Sequence, residues 1–231
     1  MIKILKQTIT IFILFSIAFS CYSQNDVTRF LDIPVDGFKS DMIQKLKSKG
    51  YTFIPNSDGT LEGEFNGTNV QLRINTNNNK VWRIIVAETY GSDQANIKIR
   101  FNNLIKQFSN NQRYLKQADT TVAKYTIPDD VDISYEILIK KKRYEAIFYQ
   151  KTLKYDSIAK EKNLLLAKRE HSDFDKLDFD RLIELSSKIQ METMKCFNKT
   201  VWFMIKEIEY DKYRIVIYYE NEYNNANGEG L

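Results

Sequence analysis

Apolar residues recur along the chain at two spacings, and each change of spacing marks a new element. Met42, Ile43 and Leu46 share one face of a helix that Gly50 can close in a left-handed cap, with Asp36, Gly37 and Ser40 as candidate starts. Three turn signals follow, at Asn56 to Gly59, Asn66-Gly67 and Asn75 to Asn79, and they divide the next stretch into four short strands. Val70, Leu72 and Ile74 alternate with Gln71, Arg73 and Asn75, which predicts a strand with one wet face, whereas Ile84 to Ala87 is apolar throughout and predicts a central strand. Ile97, Phe101, Leu104, Ile105 and Phe108 then form the stripe of a second helix, capped by Ser92 or Asp93.

Farther on, Ile133, Tyr135, Ile137 and Ile139 alternate with polar partners and read as the first strand of a hairpin. It turns at Lys140 to Arg143 and returns through Tyr144, Ala146 and Phe148. Lys, Glu, Leu, Ser and Met dominate from Tyr155 to Asn198, which predicts two helices broken near His171, where Ser172 or Asp173 can cap the second. Val201 to Tyr210 and Tyr213 to Glu220 are strands joined at Asp211-Lys212, and the tail from Asn221 lacks periodicity and is expected to fray.

The pattern predicts an α+β fold: antiparallel sheet built from hairpins, with helices packed on one face. "VWRIIVAETY" from Val81 and "VWFMIKEIEY" from Val201 share Val, Trp, an Ile at the fifth place and a Tyr at the tenth. Two readings account for this. One is a tandem α-β-β-β repeat, with halves 27–91 and 92–231 and a helical insertion at about 155–198; the other is the preference of any half-buried strand for Val, Ile and aromatic residues.

The first 26 residues change the picture of where the protein works. Lys3 and Lys6 precede an uncharged apolar run from Thr8 to Ser20, and small and polar residues follow, the layout of a secretory signal peptide over residues 1–23. The run is too short to span a bilayer, so residues 24–231 are expected as one exported α+β domain in the periplasm or at the cell surface. Cleavage after Ser23 gives a free chain, whereas cleavage before Cys21 gives a lipoprotein held to the membrane by acyl chains on that cysteine. In the first case Cys196 is the one thiol left, which excludes an internal disulfide and suits a small apolar residue on a helix. The chain has 34 Lys and Arg against 30 Asp and Glu, and loss of Lys3 and Lys6 brings the balance closer to neutral, so nucleic acid is not an expected partner.

"FLDIPVDGFKSDMIQKLKSKGY", "NNNKVWRIIVAE" with the following "IKIRFNNLIKQF", and the terminal "VWFMI" and "YRIVIYYENEYNNANGEGL" resemble a family of uncharacterised exported bacterial proteins over most of the chain. That resemblance implies no activity. Gly37 to Leu46 with the strands after it are also similar to the helix-plus-meander units of small outer-membrane assembly lipoproteins and of the tandem-repeat β-lactamase inhibitor proteins, although Lys39 stands where that motif has a Thr cap. The second resemblance implies protein binding without catalysis.

Catalytic chemistry is thinly represented. The lone histidine, His171, sits in a charged junction, and the sequence contains no nucleophile elbow, zinc-binding His pair, phosphate-cradling glycine loop or Cys-x-x-Cys. Glu62 with Glu64 and Glu207 with Glu209 are the carboxylate pairs a glycan hydrolase could use, and a wet strand face explains them equally. Asp173, Asp175, Asp178 and Asp180 lack the glycine and terminal glutamate of a calcium loop and suit an acid-rich helix start. No cofactor or metal is expected.

The fourteen tyrosines and fourteen phenylalanines are the informative excess. Tyr210, Tyr213, Tyr218, Tyr219 and Tyr223 are the candidate binding surface, together with the cations Lys140, Lys141, Lys142 and Arg143, which could meet anionic lipid. The expected function is therefore a non-catalytic binding module of the cell envelope whose partner is a protein, with a glycan as the second choice. The alternatives are a carboxylate-based hydrolase of envelope or host glycans and a lipid or glycan carrier.

Overall fold

The computed structural model describes residues 26–169 and 174–226. Cys21, His171, Ser172, Asp173 and the proposed leader lie outside the described residues. The fold is α+β with antiparallel sheets, as the periodicities predict.

A two-stranded hairpin, β1 (Arg29–Phe30) and β2 (Ile33–Pro34), leads into helix α1 (Lys39–Ser48). Strands β3 (Thr52–Phe53), β4 (Leu61–Phe65), β5 (Thr68–Asn77) and β6 (Lys80–Glu88) follow, then helices α2 (Gln94–Asn110), α3 (Asp119–Tyr125) and α4 (Ile133–Leu138). Strand β7 (Glu145–Tyr149) is separated from β8 (Thr200–Glu209) by helices α5 (Tyr155–Lys168) and α6 (Lys176–Cys196), and β9 (Lys212–Glu220) completes the main sheet. Its order is β3-β4-β5-β6-β9-β8-β7, all neighbours antiparallel. The first half of the chain thus supplies α1 and the four-stranded meander β3–β6, the second supplies α2–α4 and the three-stranded meander β7–β9 with α5–α6 inserted in it, and the meanders meet at β6 and β9.

The Asn-rich turns form because Asn and Gly accept left-handed backbone. Asn66 and Gly67 have φ of 51° and 71°, and Asn78 and Asn79 have 47° and 63°, the pair of positive angles that closes a two-residue hairpin. In α2 the Asp93 side chain accepts from the Asn96 backbone N–H at 2.8 Å, and all five stripe residues are buried. They meet an aromatic cluster on the sheet: Phe101 lies 5.2 Å from Phe203, and Phe108 lies 5.1 Å from Phe148. Helix α1 buries Met42 and Leu46 against the same side.

Two expectations are corrected. Residues 133–138 form a helix and not a strand, because Ile133 and Ile137 are also four apart and share a helical face against the core. Asp132 starts it by accepting from the Tyr135 N–H at 3.0 Å, and Tyr135 and Ile139 are left exposed. The tail is anchored as far as Asn224: Asn221 is fully buried with its amide donating to Val35 O at 2.8 Å, and Asn224 donates to Asp36 and to Val81 O. The second insertion helix is capped by Asp175, which forms a reciprocal box with Asp178. Cys196 is buried at the end of α6, and burial raises its thiol pKa.

Candidate binding surface and clefts

The strand pairings put every second side chain of the main sheet on the face away from the core. One row crosses five strands in register: Ile147 of β7 faces Trp202 of β8, Trp202 faces Tyr218 of β9, Tyr218 faces Ile85 of β6, and Ile85 faces Arg73 of β5. The first four are half-buried and Arg73 is exposed. Trp202 and Tyr218 stack at 4.0 Å with 11° between their planes. The Arg83 guanidinium lies 3.9 Å from the Trp82 ring and 5.4 Å from the Tyr218 ring, so the two tryptophans flank one tyrosine through a stack and a cation.

Glu220 lies beside this row, opposite Arg83 in register and paired with it. Its pKa is raised because burial outweighs the attraction of Arg83 and the bond from Trp202, and Glu222 adds to the rise. The contact is an ion pair without hydrogen-bond alignment, since Glu220 Oε1 accepts no hydrogen bond among the described residues, and it offsets the cost of burial only in part.

The predicted tyrosines separate. Tyr218 belongs to the row; Tyr210 is 90% exposed at the β8–β9 turn, and Tyr223 is exposed on the short 3-10 helix Glu222–Asn224. Tyr213 and Tyr219 are not surface residues: Tyr213 is fully buried with its hydroxyl 2.6 Å from Ser134 Oγ, and the Tyr219 ring packs 4.9 Å from Phe30. The lysine run is not a free cationic tip. Lys140 and Lys142 both pair with Glu136, at 2.7 and 2.8 Å, Arg143 pairs with Glu145 at 2.9 Å, and Lys141 alone of the four has no ion pair among the described residues. The hydrogen bonds from the two lysines hold the Glu136 carboxyl down to about 2.

The carboxylate pairs do not converge. Glu62 and Glu64 are on β4, while Glu207 and Glu209 are on β8, with three strands between. Four interstrand steps put the two pairs about 19 Å apart, so they do not form one site, and within the first pair Glu62 and Glu64 are both exposed on the wet face of β4. Among the described residues no three His, Cys, Asp or Glu side chains are grouped to hold a metal, and no helix is long and apolar enough to cross a membrane.

Two clefts flank the β1–β2 hairpin, whose turn residues Leu31 and Asp32 sit at φ of 50° and 66°. A leucine there is unusual and costs on the order of 1–2 kcal/mol. Leu31 leans into one cleft, of about 450 Å³, between α2 and the end of β4; its floor includes Phe65, Tyr114 and Tyr219 and its rim Asn66, Gln107 and Asn111. Asp32 faces the other, of about 460 Å³, which Arg29, Arg113, Lys151 and Lys199 also line. The sequence gives little warning of the row or the clefts, because side chains from distant strands and loops build them. No family model, curated protein or solved structure matches the chain.

Proposed function

We propose that this is an exported, non-catalytic binding module of the cell envelope that engages a protein through the outer face of its main sheet. The observation that carries the reading is the row Ile147, Trp202, Tyr218 and Ile85 with Arg83 and Trp82 beside it. Trp, Tyr and Arg are the residue types that dominate protein-binding energetics, and here they form one cluster on a rigid sheet. At about 4.8 Å per strand the row is roughly 14 Å long, the scale of an interface centre. The helix-plus-meander halves agree with this reading, as does the exposure of Glu62 and Glu64, which lack the burial that tunes a catalytic acid.

A photo-crosslinking residue replacing Trp202 in the native host should yield one discrete adduct in the envelope fraction, lost on adding Tyr218→Ala. The same probe replacing Ile99, which is exposed on α2, should not. Equal adducts from both positions, or an uncleaved chain in the cytosol, would overturn the proposal. Labelled palmitate entering the normal chain but not Cys21→Ala would establish the lipoprotein form.

The glycan reading is favoured by the cleft beside α2. An aromatic floor with an amide rim suits a pyranose, whose apolar face stacks while its hydroxyls take hydrogen bonds. Methyl β-glucoside should then shift NMR signals of Phe65 and Gln107; no shift at tens of millimolar removes this reading.

A further inference from the structure

We propose that the cleft beside Asp32 is a binding site for a phosphate ester, a function separate from the protein-binding face. Four chain segments distant in sequence each bring a cation to it: Arg29 from β1, Arg113 from the loop after α2, Lys151 from the segment after β7, and Lys199 from the turn before β8. Among the described residues two acids, Asp32 and Asp156, line the same space, so its walls are net cationic. Convergence of this kind differs from a solvated charge run, where neighbours in sequence share a helix or a turn.

The four cations are held unequally. Lys199 is a fixed floor: its side chain is 2% exposed, and Nζ donates to Asp26 Oδ1 at 2.7 Å and to Lys151 O at 2.9 Å, which uses two of its three N–H groups. Arg29 has no carboxylate partner among the described residues; its Nη1 donates to the Asp32 carbonyl at 3.0 Å, and that bond turns the guanidinium toward the hairpin turn. Arg113 pairs with Asp32 at 2.8 Å and Lys151 pairs with Asp156 at 2.7 Å, but Asp32 and Asp156 are 66% and 68% exposed. Such carboxylates gain little from their ion pairs and can swing into water when a stronger anion arrives. Gln150 holds the frame, since its amide accepts from Arg29 N and donates to Arg29 O, both at 2.8 Å.

The donor set selects the ligand chemistry. Two guanidinium forks and two ammonium groups approach from different segments, and a tetrahedral phosphate has oxygens in enough directions to meet three of them, whereas a planar carboxylate matches one fork. The volume of about 460 Å³ exceeds what a bare phosphate needs and leaves room for the group that carries it. Leu153, 75% exposed at the rim, offers that group an apolar contact. A lipid headgroup and a soluble phosphate ester share this chemistry.

The test uses the purified chain with two probes: sn-glycerol 3-phosphate followed by titration calorimetry, and vesicles of phosphatidylglycerol compared with phosphatidylcholine followed by sedimentation. Arg113→Gln and Arg29→Gln should each weaken binding of whichever probe binds by about tenfold or more, the loss of one charge-assisted contact, while Lys45→Gln, exposed on α1, should leave it unchanged. Thermal melting checks folding, and the exposed Arg113 carries the conclusion if Arg29→Gln unfolds. Binding of glycerol phosphate identifies a soluble ester as sufficient; binding of phosphatidylglycerol vesicles alone identifies a headgroup presented by a bilayer. No binding of either probe overturns the proposal, and so does an equal loss in Lys45→Gln, which would reduce the effect to general charge.

Discussion

Gly63 supplies a sharp test of how the first meander is packed. It lies mid-strand in β4 at ordinary extended φ, so alanine can adopt its backbone, and the change alone should stabilise the fold by about 0.4–1 kcal/mol through the unfolded chain. Space decides otherwise. An added Cβ would stand 2.6 Å from Tyr51 Cδ1 and 2.9 Å from Cε1, and this is a ring whose far end cannot give way freely. Tyr51 is 3% exposed, its hydroxyl donates to Glu64 O at 3.0 Å, and burial with the nearby Glu64 charge raises its pKa to about 12. Overpacking of this kind costs about 1–3 kcal/mol, and displacing the ring also forfeits a hydrogen bond of about 1 kcal/mol. Gly63→Ala should therefore destabilise by about 1–3 kcal/mol after the backbone gain is subtracted, read as a lower urea midpoint at unchanged slope. In a Tyr51→Ala background the clash has no partner, and the same substitution should become neutral or stabilising. Equal destabilisation in both backgrounds would show that Tyr51 is not what excludes a side chain at position 63.

The remaining predictions concern charge and capping. For Glu220 the folded pKa lies above the unfolded one, so its contribution is most favourable below the ordinary glutamate value of 4.5 and is lost as pH rises through the raised value. Glu220→Gln should accordingly gain stability relative to the parent as pH goes from 4 to 7 in melting experiments; a relative loss would mean that the Arg83 attraction prevails. Asp175→Ala should cost about 1 kcal/mol by opening the capping box of α6, with a fall in helical circular dichroism on partial denaturation, and an unchanged melting temperature would refute it.

How much of this was legible in the sequence depends on whether the signal was local. The α2 stripe repeats over more than three turns and could be nothing else, and Asn-Gly and Asn-Asn turns announce themselves through backbone chemistry. Residues 133–139 misled because four alternating apolar positions also contain an i, i+4 pair, so only the contacts with α2 and the sheet decide between strand and helix. The tail misled in the opposite sense: Asn221 and Asn224 anchor it by a few long-range hydrogen bonds, which leave no periodicity. Tyr213 and Tyr219 differ from Tyr218 only in parity along β9, and parity becomes inside or outside once the partner strands are known. The cationic cleft draws on four segments and had no local signal at all.

The recurrence of Val-Trp at Val81 and Val201 now has a structural meaning different from duplication of letters. In the two meanders β6 is the inner strand of the first and β9 the inner strand of the second, so a symmetric copy of the Val81 segment would fall on β9. Val201 instead opens β8, one strand farther out. What the segments share is an environment: Val81 and Val201 are both buried, and each is followed by a half-buried tryptophan. Because β9 lies between β6 and β8, both tryptophans come to the same tyrosine, Trp202 directly and Trp82 through Arg83. The similarity of the two stretches is thus matched by a common environment on either side of Tyr218: a buried valine, then a half-buried tryptophan on the outer face, one stacked on the ring and the other joined to it through a guanidinium.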